Sequence, residues 1–289
     1  MGESRRWASR GTATANRGIV EVVGEYDLIP AHLEGVVAKL VRGRDLLTEL
    51  DALALEYMVG HPATFDVVPD PTSNFYTVTA HVEPPPLRLA VLFGDALHNM
   101  RSALDHVARL MVIANGGTPL DRPPGATMFP IHLQEPKRPI TINPGIGEKA
   151  RGVLTSLQPY HQDQPQDHPL WRLSELNNID KHRLLHVTSL SGAGGVAFVP
   201  APVDPTVSTS QEQRRHSVRL LPGQPQLFEV NADEMHEQAA MAGLWSFTVV
   251  LGEPDAGFKE QLGGIGRSIL NFLAEEALPE LAPFTLPPR

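Results

Sequence analysis

The sequence predicts an α+β fold in which a bundle-like helical core carries a small antiparallel sheet. Two segments repeat apolar residues at helical spacing: Leu33 through Val37, Leu40, Leu47, Leu50 and Ala54 to Met58, and Leu97 through Met100, Leu104 and Val107 to Met111. Between them, Phe65–Val68 and Phe75–Val82 flank a Pro, Asp, Ser and Asn-rich turn, and alternation at Tyr76, Val78, Ala80 and Val82 reads as a hairpin. With 289 residues, 42% of them hydrophobic, the chain has enough apolar surface to bury a sizeable core.

Each element follows from local signals. Residues 1–20 read as a flexible polar tail, and residues 21–289 as a single α+β domain. Pro30 opens the first helix, which Gly60 and Pro62 end. Pro84, Pro85 and Pro86 precede a second helix that is expected to run to Asn115 and stop at Gly116-Gly117. Thr118–Pro144 is mostly loop, with Thr127–His132 as a short strand. A helix over Gly147–Leu157, a polar connector over Tyr160–His168 and a further helix over Leu170–Val187 come next, and Gly192, Gly194 and Gly195 close that region. Strands are expected at Val196–Val199, His216–Leu221, Gln226–Val230 and Leu244–Leu251, with a turn at Pro222-Gly223 and a mobile loop over Asp204–Arg215. The last helix, Glu260–Glu276, would pack on the first through Leu262, Ile265, Ile269, Leu270 and Phe272.

Composition removes several classes of function. A net charge of −9 argues against broad, non-specific attraction to nucleic acid, which needs a concentrated cationic surface. The absence of cysteine excludes disulfides, thiolate metal sites and cysteine nucleophiles. The polar segment Met1–Arg17 has no apolar stretch of the kind a secretory signal needs, and no run approaches the ~18 apolar residues of a membrane span. A cytoplasmic protein with no membrane partner is the expectation.

The residues with chemical potential fall in two helical motifs. In the first, Gly94–His106, Leu97, Met100 and Leu104 form an apolar stripe, while Asp95, His98, Asn99, Ser102, Asp105 and His106 fill the opposite arc with Arg101 on the border. A merely solvated face carries interchangeable Lys, Glu and Gln, so two His, two Asp, an Asn and a Ser point to a task. In the second, Trp171–His186, the apolar sector of Leu173, Leu176, Ile179 and Leu184 includes Asp180 and Arg183, whose burial would require a partner. They pair with each other at i,i+3, or Asp180 reaches Arg101.

The segment Arg101-Ser102-Ala103-Leu104-Asp105-His106 resembles the R-x4-H motif of HEPN domains, a helical superfamily that includes metal-independent endoribonucleases. The resemblance covers about the helical third of the chain. Gly94–His106 and Asn178–Arg183 also look like segments shared by uncharacterised bacterial proteins. The resemblance to HEPN domains implies that Arg101 holds a scissile phosphate and His106 moves protons at the ribose hydroxyl and leaving oxygen; beside them, the side chains of Ser102 and Asp105 are of the type that orients either group. His98, Asn99, Asn178, Asp180, His182 and Arg183 would be supporting residues. RNA is the partner so implied, no cofactor is needed, and a homodimer would bring two motif helices together.

Two alternatives compete with this. His182 and His186 are spaced i,i+4, and with His98 they suggest a divalent transition metal site between helices, as in a metal-dependent hydrolase. Otherwise the polar motifs are buried scaffolding in a non-catalytic binding protein. The remaining signals favour structural roles: Gly263–Ser268 lacks the Gly-Lys-Ser/Thr of a phosphate loop, the His161, Asp163, Asp167 and His168 cluster lies in a polar connector, and Ser174 lacks a nucleophile elbow.

Overall fold

A computed structural model describes residues 30–60, 63–72, 75–121, 126–185, 187–191, 226–231, 247–252 and 261–286. Helix predominates among them, with two antiparallel ladders. The elements are α1 (Glu34–Val59, led by a 3-10 turn at Ala31–Leu33), β1 (Ala63–Pro69), β2 (Phe75–Val82), α2 (Leu87–Ala114), α3 (Glu148–Ser156), α4 (Pro169–His182), β3 (Val187–Ser191), β4 (Gln226–Asn231), β5 (Phe247–Leu251), α5 (Leu262–Phe272) and α6 (Leu278–Leu281). A π-helical turn, Leu273–Ala277, joins the last two. The tail, the expected strands at 196–199 and 216–221, the turn at 222–223, the loop at 204–215 and the glycines at 192–195 lie outside the described residues.

The chain forms two compact units, one of Met1–Asp45, Asp95–Ile179 and Gly266–Arg289, the other of Leu46–Gly94 and Asp180–Ile265. In the first, the opening of α1 lies antiparallel to the middle of α2. A Cβ at Gly43 would stand 3.2 Å from Met100 Cγ and 3.5 Å from the Ala96 carbonyl oxygen, so the missing side chain permits close approach. Val36, Val37 and Leu40 of α1, Met100, Leu104 and Val107 of α2, and Leu273 and Leu281 near the C-terminus are all buried. Leu40, Leu104, Leu273 and Leu281 border one small apolar cavity, which marks where the three segments meet. The π turn there has a local cause: Pro279 lacks an N–H, and its ring opposes the carbonyl four residues back, at Glu275.

Two helix ends in this unit are set by single residues. α2 stops in a Schellman motif, with Gly116 at φ +79°, its N–H on the Ile113 carbonyl and the Gly117 N–H on the Val112 carbonyl, both at 2.9 Å. At the start of α4, Pro169 occupies the first helical position and the ring Nδ1 of His168 accepts the Leu170 N–H at 3.1 Å, a side-chain cap.

The second unit holds both ladders. β1 and β2 form the expected hairpin, Ala63 opposite Val82 and Pro69 opposite Tyr76, and β4 adds to the other edge of β2. Asp70 Oδ1 fixes the connecting turn by accepting from the N–H and hydroxyl of Thr72, each at 2.8 Å. β3 pairs with β5, whose Val249, Val250 and Leu251 are buried. Leu46, Leu47, Leu50, Leu89, Leu92 and Phe93 bury the adjoining stretches of α1 and α2.

Three expectations are corrected. α4 ends at His182 instead of continuing to Val187, and Val187 instead begins β3; the β-branched Val187 and Thr188 favour the extended state over a further helical turn. Thr127–His132 is extended but pairs with no strand among the described residues. The final helical segment begins at Leu262 and continues through the π turn to Leu281, past the expected end at Glu276.

Candidate functional site

The buried arc of α2 runs from Ala103 through Met100 and Leu104 to Ala108, and Arg101 stands at one border of it. Its side chain is only 11% exposed, so its charge needs compensation. Arg101 Nη2 donates to Asp105 Oδ1 at 3.1 Å, one turn along the helix, and to the Phe129 carbonyl oxygen at 2.7 Å. Asp105 Oδ1 in turn accepts the Phe129 N–H at 2.9 Å. Both backbone groups of Phe129 are thus served by two side chains of α2, as a neighbouring strand would serve them in an antiparallel pair. Phe129 itself is 1% exposed.

The opposite edge of the same extended segment is finished in the same way. The amide of Gln158, itself buried, accepts the His132 N–H at 2.9 Å and donates to the Pro130 carbonyl at 3.1 Å. One residue of a parallel strand would make the same two bonds around Ile131. A second donation to the Leu154 carbonyl, 3.1 Å, satisfies the remaining amide proton and anchors it to α3. Thr127 completes the strap: its N–H reaches the Leu120 carbonyl, and its hydroxyl accepts the Leu120 N–H and donates to the Asn143 carbonyl.

His106 lies about 140° around α2 from Arg101, because five residues at 100° bring it to the other border. There it faces α1: its Nδ1 would be 3.7 Å from a Cβ at Gly35. Further along the seam, one turn after Gly35 in α1 and two turns before His106 in α2, Lys39 Nζ donates to Asn99 Oδ1 at 3.3 Å while Asn99 Nδ2 donates to the Asp95 carbonyl at 2.8 Å. Ser102 and His106 are half-buried, and neither has a hydrogen-bond partner among the described residues. The two residues of R-x4-H in one chain therefore serve different neighbours, Arg101 the strap and His106 the seam with α1.

The second motif is less buried than its helical wheel suggests. Asp180 is half-buried, Arg183 is exposed and lies one residue past the end of α4, and Asn178 and His182 are exposed. The apolar sector is interrupted because α4 stops before Arg183 can occupy its expected angular position. Asp180 packs on bare backbone: a Cβ at the buried Gly94 would lie 2.4 Å from its Oδ1. Arg101 takes Asp105 as its ion-pair partner. For the metal alternative, His98 and His182 are exposed and His186 lies outside the described residues. Among the described residues no three His, Asp or Glu side chains group as metal ligands would.

Sequence reasoning missed Gln158, Phe129, Arg172 and the cap at His168. Arg172, with its side chain 10% exposed, donates to Asp167 Oδ1 at 2.8 Å. His168 is buried with its ring edge against Phe272, centroids 4.9 Å apart, and burial lowers its pKa to about 4. A signal existed only for His168, since a His before Pro at a helix start stands at the capping position. Nothing local marks Gln158 as the surrogate for a strand 26 residues away.

Compared with known proteins, the chain matches no family model, no curated protein and no solved structure. No described helix is long and apolar enough to cross a membrane.

Proposed function

We propose that this chain is a HEPN-like α+β protein with a bundle-like helical core, and that it works by binding and not by cutting RNA. The observation that carries this is the commitment of Arg101. A nuclease of the R-x4-H type needs the guanidinium free to meet a phosphate, whereas here it holds Asp105 and the Phe129 carbonyl in a buried clamp. Releasing it would leave a buried carbonyl and part-buried carboxylate short of a donor. His106 and Ser102 remain available to a ligand, but without the Arg they have no fixed cation from their own motif beside them.

The test is incubation of the purified protein with a broad panel of single-stranded RNAs in EDTA. The expected result is intact RNA. Cleavage that disappears in both Arg101→Ala and His106→Ala, each shown to be folded, would overturn the binding reading in favour of a metal-independent endoribonuclease.

A further inference from the structure

We draw no further inference here: the strongest candidate, the amide of Asn177 on the buried face of α4, which has no hydrogen-bond partner among the described residues, carries nothing because nothing among those residues shows what that amide faces.

Discussion

Arg101 reaches the carbonyl oxygen of Phe129 across 2.7 Å, joining residues 28 apart in the chain, while Asp105 receives the N–H of the same phenylalanine. Two side chains one turn apart on α2 thereby replace a strand. The spacing explains why both are needed: an i,i+4 pair presents a donor and an acceptor about one turn apart, which suits the N–H and C=O of one extended residue. The polar residues that looked catalytic on a helical wheel are in this respect structural, and they dock an irregular segment onto a helix.

Arg101→Leu is accordingly expected to destabilise the protein by about 3 kcal/mol, since it leaves the buried Phe129 carbonyl without its donor and Asp105 without its cation. Asp105→Ala should cost somewhat less, because Asp105 is the more exposed of the two, with 26% of its side chain accessible against 11%. In a double-mutant cycle the two losses should fall short of additive by about 1 to 3 kcal/mol, as expected for groups that share the Phe129 backbone. Urea denaturation measures all three, and additive losses would show that the clamp is not one unit.

Gln158→Glu isolates the other edge of the strap. The substitution keeps size and the acceptor for the His132 N–H but removes both donations, and it sets a carboxylate against the Pro130 and Leu154 carbonyls. A loss of about 2 to 4 kcal/mol is expected in the interior of the first unit. A denaturation midpoint equal to wild type would mean that the Gln158 amide contributes nothing to holding the strap.

Local signals made the long helices, the hairpin and the stop at Gly116-Gly117 legible, because each depends on periodicity, on turn residues or on a left-handed glycine. The partner of Arg101 was not legible in the same way. The apolar sector of α4 suggested Asp180, yet the guanidinium is satisfied by a residue four positions away and by a carbonyl that no pattern marks. The helical wheel also placed Arg183 inside the core on the assumption of a helix reaching Val187. Ending the helix at His182 removed the premise. No sequence pattern marks Gly94 as a close approach, and only the position of the Asp180 carboxylate shows why a side chain does not fit there.

Gly94→Ala should reverse the usual sign of a glycine-to-alanine change in a helix. In an open helix interior the alanine gains about 0.5 to 1 kcal/mol. Here its Cβ would meet the three carboxyl atoms of Asp180 at 2.4 to 2.5 Å, so a loss of about 1 to 2 kcal/mol is expected instead. In an Asp180→Ala background the obstruction is gone, and the same change should become neutral or stabilising. Thermal denaturation of the four proteins reads the reversal, and a Gly94→Ala variant more stable than wild type would remove Asp180 from that position.

His168 gives the protein a specific acid sensitivity. Its ring is buried against Phe272, its Nδ1 is occupied in accepting the Leu170 N–H, and burial lowers its pKa to about 4 from an ordinary value of 6.5. In the unfolded chain the ring takes up its proton as the pH falls through 6.5, while the folded protein refuses it until about 4. Between those values the unfolded state binds more protons, so the stability contributed by the neutral ring is complete above 6.5 and is lost progressively as the pH falls to about 4. The loss approaches about 3 kcal/mol, of which protonation at the capping nitrogen is the direct structural expression. His168→Asn retains a helix cap and cannot titrate in this range, so denaturation midpoints compared with wild type from pH 7 to pH 4 should lose this part of the slope. A His168→Asn protein with the wild-type slope, or a His168 resonance titrating near 6.5 in the folded state, would place the acid sensitivity elsewhere in the chain.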